Sequence, residues 1–274
     1  MPPLDTLAWL LESGADEAIG ETPVDRFVVR TPPPVSFAGA PAAQPAKLAY
    51  PSPISAPPAA ALGETDSIAS AQSLAAAATT LAELKAALEG FEGCALKKNC
   101  ANTVFADGNP ASRILFIGEA PGAEEDRQGL PFVGRAGKLL DKMMAAINLD
   151  RSGAYITNVL NWRPPANRDP SPEEAATCLP FLRRHIELAN PGIIILLGAV
   201  AARHVLGLTD GIMKLRGRWL EYRVGDVMVP VMATLHPAYL LRQPAHKKLA
   251  WRDLQAAEQK MITLGLLEKR GTIG

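Results

Sequence analysis

Four short apolar runs, each bounded by turn residues, alternate with segments of helical spacing, and this alternation constrains the fold more than any other feature. The runs cover residues 114–117, 155–159, 193–197 and 229–234. Strands that alternate with helices form parallel sheets covered by helices on both faces. We therefore predict an α/β fold, a three-layer α/β/α sandwich with a central four-stranded parallel sheet.

The segment after the second run carries the clearest helix start. Ser171 can serve as N-cap, Pro172 occupies the first helical position, and Glu174 follows three residues after the cap. Serine and glutamate at this spacing form a capping box, and proline is favoured at the first position of a helix. This pattern predicts a helix between the second and third strands.

The first 80 residues differ from the rest in composition and charge. They are rich in Ala and Pro and hold three basic and eight acidic residues, a net charge of −5, whereas residues 81–274 hold 25 basic and 20 acidic residues. Such a stretch cannot bury enough apolar area to offset its ordering entropy. We predict a disordered tail over residues 1–80 and a globular domain over residues 81–274.

A short helix is expected near residues 5–12, where three leucines fall on one side. It could be a loosely docked terminal helix or a peptide that binds a protein partner on a flexible tether.

Composition also limits the setting of the protein. The N-terminus lacks the basic and apolar regions of a signal peptide, and no apolar stretch approaches the length of about 20 residues that spans a bilayer. Three cysteines are an odd number, which disfavours a disulfide framework and fits a reducing compartment. We expect a cytoplasmic monomer with no membrane contact.

Chemically distinctive residues follow the predicted strands. Gly118 and Glu119 end the first strand, Asn158 ends the second, and His236 follows the fourth, while Phe132 lies in the loop after the first. Ligands of such folds bind beyond the carboxyl ends of the strands. Each residue also has a structural alternative: Asn158 and Glu119 as caps, His236 as a structural residue before proline, and Phe132 as part of the core.

Two common ligand classes lack their signatures. No G-x-x-x-x-G-K-[ST] or G-x-G-x-x-G motif is present, and no C-x-x-C or H-x-x-x-H pair suggests a zinc site. The mildly basic body permits nucleic-acid binding without requiring it.

Three ordered segments carry a specific resemblance. GEAPGAEEDRQGLPFVGRAGKLLD, YITNVLNWRPPANRDPSPEEAATCLPFL and TLHPAYLLR resemble the signature segments of the family 4 uracil-DNA glycosylases. The resemblance covers about residues 91–258, and the first 80 residues have no counterpart in it. It implies that residues 81–274 form the catalytic domain of a hydrolase that flips uracil out of DNA and cleaves its glycosidic bond.

The resemblance also implies residue roles. Phe132 would stack on uracil, Asn158 would read the O4 and N3–H edge, and His236 would donate to O2 as charge develops there. Gly118 would allow close backbone approach. The resemblance suggests Glu119 as the group that orients the attacking water, with Asp126 as second choice.

Contacts with DNA are expected along the loop between the second apolar run and Ser171, called the second loop below, and after the turn at His236 and Pro237. Leu240 or Leu241 would fill the gap left by the flipped nucleotide, and a basic residue nearby would hold a phosphate. The candidate cations are Arg163, Arg168, Arg242, Lys247 and Lys248. Each of them alone could be a solvated surface charge.

One departure from the family concerns its [4Fe–4S] cluster, which four cysteines normally bind. The corresponding positions here are Phe91, Cys94, Trp162 and Cys178, so two ligands are replaced by aromatic residues. We expect no cofactor to be needed for the chemistry and a cluster to be doubtful, with the aromatic side chains packed in its place.

The sequence therefore predicts a monofunctional uracil-DNA glycosylase that leaves an abasic site and acts in base-excision repair. Two alternatives stay open. One is a catalytically weak DNA-binding homologue that serves as a repair or replication accessory. The other is a glycosylase for another deaminated base, such as hypoxanthine or xanthine.

Overall fold

A computed structural model of the chain describes residues 64–268, and one six-stranded sheet organises them. The strand order is β1-β3-β2-β4-β6-β5. The strands are β1 (Ala106–Gly108), β2 (Ile114–Gly118), β3 (Tyr155–Asn158), β4 (Ile193–Leu197), β5 (Trp219–Val224) and β6 (Val227–Thr234).

Helices precede, connect and follow these strands. The α-helices of the described region are α1 (Glu64–Ala77), α2 (Leu81–Gly90), α3 (Ala123–Gln128), α4 (Arg135–Ala145), α5 (Pro172–Ala189), α6 (Ala199–Leu206), α7 (Ile212–Leu215), α8 (Pro237–Arg242) and α9 (Lys247–Thr263). None of the helices within residues 64–268 has the length and apolar character needed to cross a membrane.

The four predicted strands are the central, parallel ones, and the α/β sandwich is confirmed. The strand count of four is corrected to six, because β1 and β5 pair antiparallel at the two edges of the sheet. β1 has only three residues, Ala-Asp-Gly, and β5 alternates apolar and charged residues. Neither is a continuous apolar run, so neither gave the signal of a buried strand.

Alternate residues of β2 enter two separate apolar layers. Leu115 and Ile117 pack in the layer that contains residues of α2 and α5. Ile114 and Phe116 pack in the layer that contains residues of α4 and α9. Successive side chains of a strand point to opposite faces, so this division places helices on both sides of the sheet.

Helix α1 corrects the predicted boundary of the tail. Residues 64–77 are helical, and Ala71 and Ala75 of this helix are buried where it packs against α5. Small side chains one turn apart allow close helix packing, and alanine has the highest helix propensity. The alanine content is therefore a helix signal, and the prediction of disorder is wrong for residues 64–77. Residues 1–63, including the expected helix near residues 5–12, lie outside the described residues.

Candidate active site

A cavity of about 340 Å³ opens at the carboxyl ends of the central strands. Its wall combines carboxylate, amide, imidazole, phenol and guanidinium groups with apolar side chains. The lining residues are Glu119, Ala120, Pro121, Gly122, Glu125, Phe132, Ala136, Asn158, Pro164, Asn167, Arg168, Asp169, His236, Ala238, Tyr239 and Arg242. The structure thus brings Glu119, Phe132, Asn158 and His236 together, as the sequence predicted.

Gly118 allows two of these side chains to approach the end of β2. It is paired with Asn158 in the parallel ladder. A Cβ on Gly118 would lie 2.4 Å from Asn158 Oδ1 and 2.4 Å from the tip of the Phe132 ring. Any residue with a side chain would therefore displace one of them. Glycine is required here for space, since the strand conformation itself is ordinary.

Asn158 is buried at the end of β3, and its Oδ1 atom is buried without a hydrogen-bond partner. An unsatisfied buried acceptor costs about 1–3 kcal/mol. The fold accepts this cost beside a cavity large enough for a small planar ligand. In a turn cap this oxygen would accept a hydrogen bond from a backbone N–H group. The unpaired Oδ1 therefore does not support the alternative that Asn158 caps a turn.

Phe132 packs in the core and also lines the cavity. Its ring centroid lies 5.6 Å from that of His236, with an angle of 34° between the ring planes. The backbone of Phe132 has φ of 55°, in the left-handed region. This conformation is strained for an aromatic residue, and such strain persists only where the surroundings enforce it.

His236 is the N-cap of α8. Its Nδ1 atom accepts a hydrogen bond from the backbone N–H of Ala238 over 3.1 Å. Burial, with a smaller contribution from the charge of Arg242, lowers the pKa of His236 to about 4. The imidazole is therefore neutral at pH 7, and its single proton lies on Nε2. This tautomer makes the remaining ring nitrogen a hydrogen-bond donor.

Glu119 is partly buried where β2 ends. Burial and the negative charge of Asp169 raise its pKa to about 7, against the opposing charges of Arg203 and Arg242. A carboxyl group with a pKa near neutrality is suited to accept a proton during catalysis. Asp169 and Arg203 were not among the predicted site residues. Asp169 lies in the Asn-Arg-Asp-Pro stretch of the second loop. Its negative charge was the one feature of the sequence that could have indicated a role in the site.

The structure does not support Asp126, the second choice for orienting the attacking water. Its Oδ1 accepts hydrogen bonds from the backbone N–H groups of Ala101 and Asn102, over 2.9 and 3.2 Å. The carboxylate does not line the cavity, because α3 turns it toward the preceding loop.

The adjacent Glu125 holds the loop between β2 and α4 together. Its carboxylate accepts hydrogen bonds from the backbone N–H groups of Gly122, Val133 and Gly134. These bonds fix both ends of the loop that contains Phe132. Glu125 therefore acts as a cap of this loop.

Helix α8 separates the two predicted wedge residues. Leu240 is buried, with 1% exposure, and packs in the core, so its prediction as a DNA contact is wrong. Leu241 is 36% exposed, and Arg242 is exposed at the cavity. Pro237 and Leu240 are three residues apart and lie on the buried face of α8. Leu241 and Arg242 therefore lie on its exposed face. Tyr239, which also lines the cavity, was missed because tyrosine carried no separate signal.

The predicted cations of the second loop have partners within the chain. Arg163 Nε donates to Asn167 Oδ1 over 2.7 Å. Arg168 forms a bidentate ion pair with Glu174, over 2.6 and 2.8 Å. Lys247 and Lys248 are exposed at the start of α9.

The positions that correspond to cluster ligands do not fit a four-iron cluster. Phe91 and Trp162 are 2% and 1% exposed, and their ring centroids lie 6.5 Å apart. Trp162 Nε1 donates to Thr103 Oγ1 over 3.1 Å. The donor set thus provides two thiols, from Cys94 and Cys178, and two aromatic rings that cannot ligate iron.

The three thiols of this region contact other groups of the chain. Contact with Cys94 and complete burial raise the pKa of the Cys178 thiol well above its ordinary value. Cys100 Sγ contacts the backbone of Leu96 and Arg163. Within residues 64–268, no group of three or more His, Cys, Asp or Glu side chains is arranged to hold a metal ion.

Comparison with known proteins identifies the class that this α/β fold and cavity define. The sequence pattern of the uracil DNA glycosylase superfamily matches residues 105–255, more than half of the chain. The chain belongs to the uracil-DNA glycosylase superfamily, and its relatives place it in the type-4 family.

Three of these relatives are named type-4 uracil-DNA glycosylase. The protein of Thermotoga maritima is 42% identical over 168 residues, which cover 60% of this chain and 86% of the relative. The protein of Archaeoglobus fulgidus is 45% identical, over 55% of this chain and 78% of the relative. The protein of Sulfurisphaera tokodaii is 36% identical, over 71% of this chain and 89% of the relative.

Proposed function

We propose that this protein hydrolyses the N-glycosidic bond of uracil in DNA and leaves an abasic site, the first step of base-excision repair. The observation that carries the proposal is the buried, unpaired Oδ1 of Asn158 beside the Phe132 ring. A base with an N–H donor on its edge would satisfy that oxygen. The names of the type-4 relatives support uracil as this base.

Asn158 provides the discrimination between uracil and cytosine. Its Oδ1 accepts from N3–H of uracil, and its amide NH₂ donates to O4. Cytosine presents an unprotonated N3 and an amino group at these places, so both contacts become unfavourable. Polar groups left unpaired in a buried site reject the wrong ligand more strongly than missing apolar contacts do.

The cleavage step uses His236 and Glu119. Water oxygen forms a bond to C1′ while the C1′–N1 bond breaks and its electron pair moves onto uracil. The negative charge that develops at O2 is stabilised by Nε2–H of His236, which is a fixed donor from a neutral ring. The deprotonated Glu119 orients the water and accepts its proton.

The DNA duplex is proposed to lie across the mouth of the cavity. Leu241 and Arg242 are adjacent and exposed at the end of α8. The leucine fills the space left by the extruded nucleotide, and the arginine holds a neighbouring phosphate. Lys247, at the start of α9, is an additional backbone contact. Arg163 and Arg168 can contribute as well, since an arginine that pairs with one partner keeps further N–H donors.

We further propose that the enzyme needs no iron-sulfur cluster. Phe91, Trp162 and Phe181 form an aromatic group, in which the Phe91 and Phe181 ring centroids lie 5.2 Å apart. This group joins the segment after α2 to the second loop and to α5. Buried aromatic packing thereby replaces the metal as the link between these segments.

The setting of the enzyme is proposed on the grounds of its thiols and its N-terminal sequence. Cys94, Cys100 and Cys178 are free, which supports a reducing compartment such as the cytoplasm. We propose a monomer whose acidic N-terminal segment binds a protein partner.

An oligonucleotide assay tests the activity. Single- and double-stranded oligonucleotides with one uracil are incubated with the protein in EDTA, treated with alkali and separated on a gel. Cleavage at uracil alone supports the proposal. Cleavage only at hypoxanthine or xanthine would indicate another deaminated base. Binding without cleavage would indicate the accessory protein, and a requirement for divalent metal would contradict the mechanism.

A further inference from the structure

The guanidinium group of Arg151 connects three parts of the fold at the Phe132 loop. Arg151 lies in the connection between α4 and β3. Its Nη2 donates to the carbonyl oxygen of Phe132, and its Nη1 donates to that of Pro131 over 3.2 Å. Two carboxylates complete the set: Nε donates to Asp141 Oδ1 over 2.9 Å, and Nη1 donates to Asp107.

The same carbonyl of Phe132 is confined from the opposite direction. A Cβ on Gly137 of α4 would lie 1.7 Å from this oxygen, so the loop rests directly on the helix backbone. Phe132 is held at φ of 55° between this contact and Arg151. A strained backbone of this kind persists only when its surroundings determine it. Arg151 and Gly137 contact the carbonyl of Phe132, while Glu125 holds the N–H groups of the next two residues.

We propose that Arg151 is a positioning residue for the stacking side chain: it fixes the backbone of Phe132 so that the ring lies against the base site. Arg151 does not line the cavity and acts only through the carbonyl groups it binds. A guanidinium suits this task because its planar fork directs several N–H donors at once, which a lysine cannot reproduce. The inference rests on the proposed function for the identity of the base.

The activity test is a double-mutant cycle on uracil release. Arg151→Gln should lower the single-turnover rate about 10- to 100-fold, since small misplacements of a binding group have effects of this size. In a Phe132→Ala background the same change should have almost no further effect, because the ring it positions is gone. Arg151→Lys should restore part of the rate. An equal fold-loss in both backgrounds, or no loss in the wild-type background, would overturn the proposal.

Arg184→Gln is the matched control. Arg184 also donates to a backbone carbonyl, that of Ala78, and to the carboxylate of Glu187, and its side chain is 29% exposed against 26% for Arg151. None of these residues lines the cavity. Arg184→Gln should lower thermal stability and leave the rate unchanged. A similar loss of rate in the control would show that the effect is general destabilisation.

If Arg151→Gln prevents folding, Gly137→Ala tests the same carbonyl from the helix side. It should also lower the rate in the wild-type background and not in the Phe132→Ala background. Independent losses in the two backgrounds would contradict the proposal.

A second measurement does not depend on activity. The chain has seven phenylalanines, and 4-fluorophenylalanine labelling gives each of them a ¹⁹F resonance. Phe132→Leu identifies the resonance of Phe132. In Arg151→Gln this resonance should shift or broaden while the other six stay in place. An unchanged Phe132 resonance would overturn the positioning role of Arg151, whichever base the protein acts on. A wild-type protein that does not release uracil would refute the proposed function but not the positioning role.

Discussion

His236 and Ala238 are joined by a hydrogen bond in which the imidazole Nδ1 accepts from the backbone N–H, over 3.1 Å. The bond fixes the tautomer of a buried neutral ring and directs Nε2–H away from the helix. An N-cap contact that stabilises α8 therefore also orients the donor that the proposed mechanism uses for the leaving base. In that mechanism the same side chain has both the structural role and the functional one that the sequence left open.

This tautomer can be observed directly. At pH 7, ¹⁵N NMR should show His236 protonated at Nε2 and unprotonated at Nδ1, with no titration near 6.5, because burial lowers its pKa to about 4. Since the folded pKa is below the unfolded one, His236 should reduce stability only as the pH falls from about 6.5 toward 4. A charged imidazolium at pH 7 would contradict the assignment. His236→Ala should lower kcat by about 10²–10³, the loss that follows removal of an oxyanion donor.

Glu119 should govern the pH dependence of the rate. Because water is oriented by the carboxylate form, the single-turnover rate should rise with pH through about 7, the value to which burial and Asp169 raise its pKa. Glu119→Gln should be slow and independent of pH in this range. A wild-type profile that is flat from pH 5 to 9 would remove Glu119 from this role.

The same carboxyl group should affect stability with the opposite sign. The folded state keeps a proton that the unfolded state loses above about 4.5, so Glu119 should reduce stability as the pH rises toward 7. Glu119→Gln should therefore be more stable than the wild type at pH 8, by on the order of 2–3 kcal/mol after allowance for solvent screening, and equal to it at pH 4. Equal stability of both proteins at pH 8, measured by urea unfolding, would contradict the raised pKa.

Much of this arrangement could be predicted from the sequence. The apolar runs over residues 114–117, 155–159 and 193–197 were strong signals, because strands of a parallel sheet are buried on both faces. Their order along the chain then placed Asn158 and His236 at one edge. Gly118 and Phe132 followed from their position after the first strand.

Other features depend on tertiary contacts that have no local signal. Leu240 and Leu241 are identical in type, and only the packing of α8 buries one and exposes the other. Asp126 and Glu125 are adjacent acids, and which of them faces the cavity depends on the orientation of α3. Arg151 is separated by about 19 residues from the carbonyl it binds, a contact that periodicity cannot reveal.

The aromatic group should contribute strongly to stability. Trp162→Ala removes a side chain that is 1% exposed and leaves Phe91 without its neighbour. We expect a loss of about 3–5 kcal/mol in the free energy of unfolding, as for other large-to-small changes in a core. Iron and sulfide analysis after anaerobic purification should find no cluster. About four irons per chain, or an unchanged stability of Trp162→Ala, would contradict the proposal.

Helix α1 leads to a prediction about truncation. Removal of residues 1–63 should leave the melting temperature and the activity on short oligonucleotides nearly unchanged. Removal of residues 1–80 should lower the melting temperature, because it takes away α1 and exposes the face of α5 on which Ala71 and Ala75 pack. Equal melting temperatures of the two truncated proteins would show that α1 does not contribute to the fold.

Asn158→Asp should change the base preference. A carboxylate facing O4 should weaken uracil release by about 1–3 kcal/mol, or up to about 100-fold. When protonated, the acid can donate to N3 of cytosine and accept from its amino group. Release of cytosine should therefore appear at low pH and disappear as the pH rises. Release that is independent of pH would exclude this explanation.

The proposed selection of uracil by Asn158 can be measured as the release of free base from oligonucleotides that carry uracil, cytosine, thymine or hypoxanthine at one position, detected by mass spectrometry. Wild type, Asn158→Ala and Asn161→Ala are compared, because Asn161 is also a buried amide of the second loop but donates to Val104 O and does not line the cavity. The wild type and Asn161→Ala should release uracil alone, and Asn158→Ala should release it about 10- to 100-fold more slowly. Absence of uracil release by the wild type would contradict the proposed function, and an undiminished rate in Asn158→Ala would contradict the proposed role of this residue.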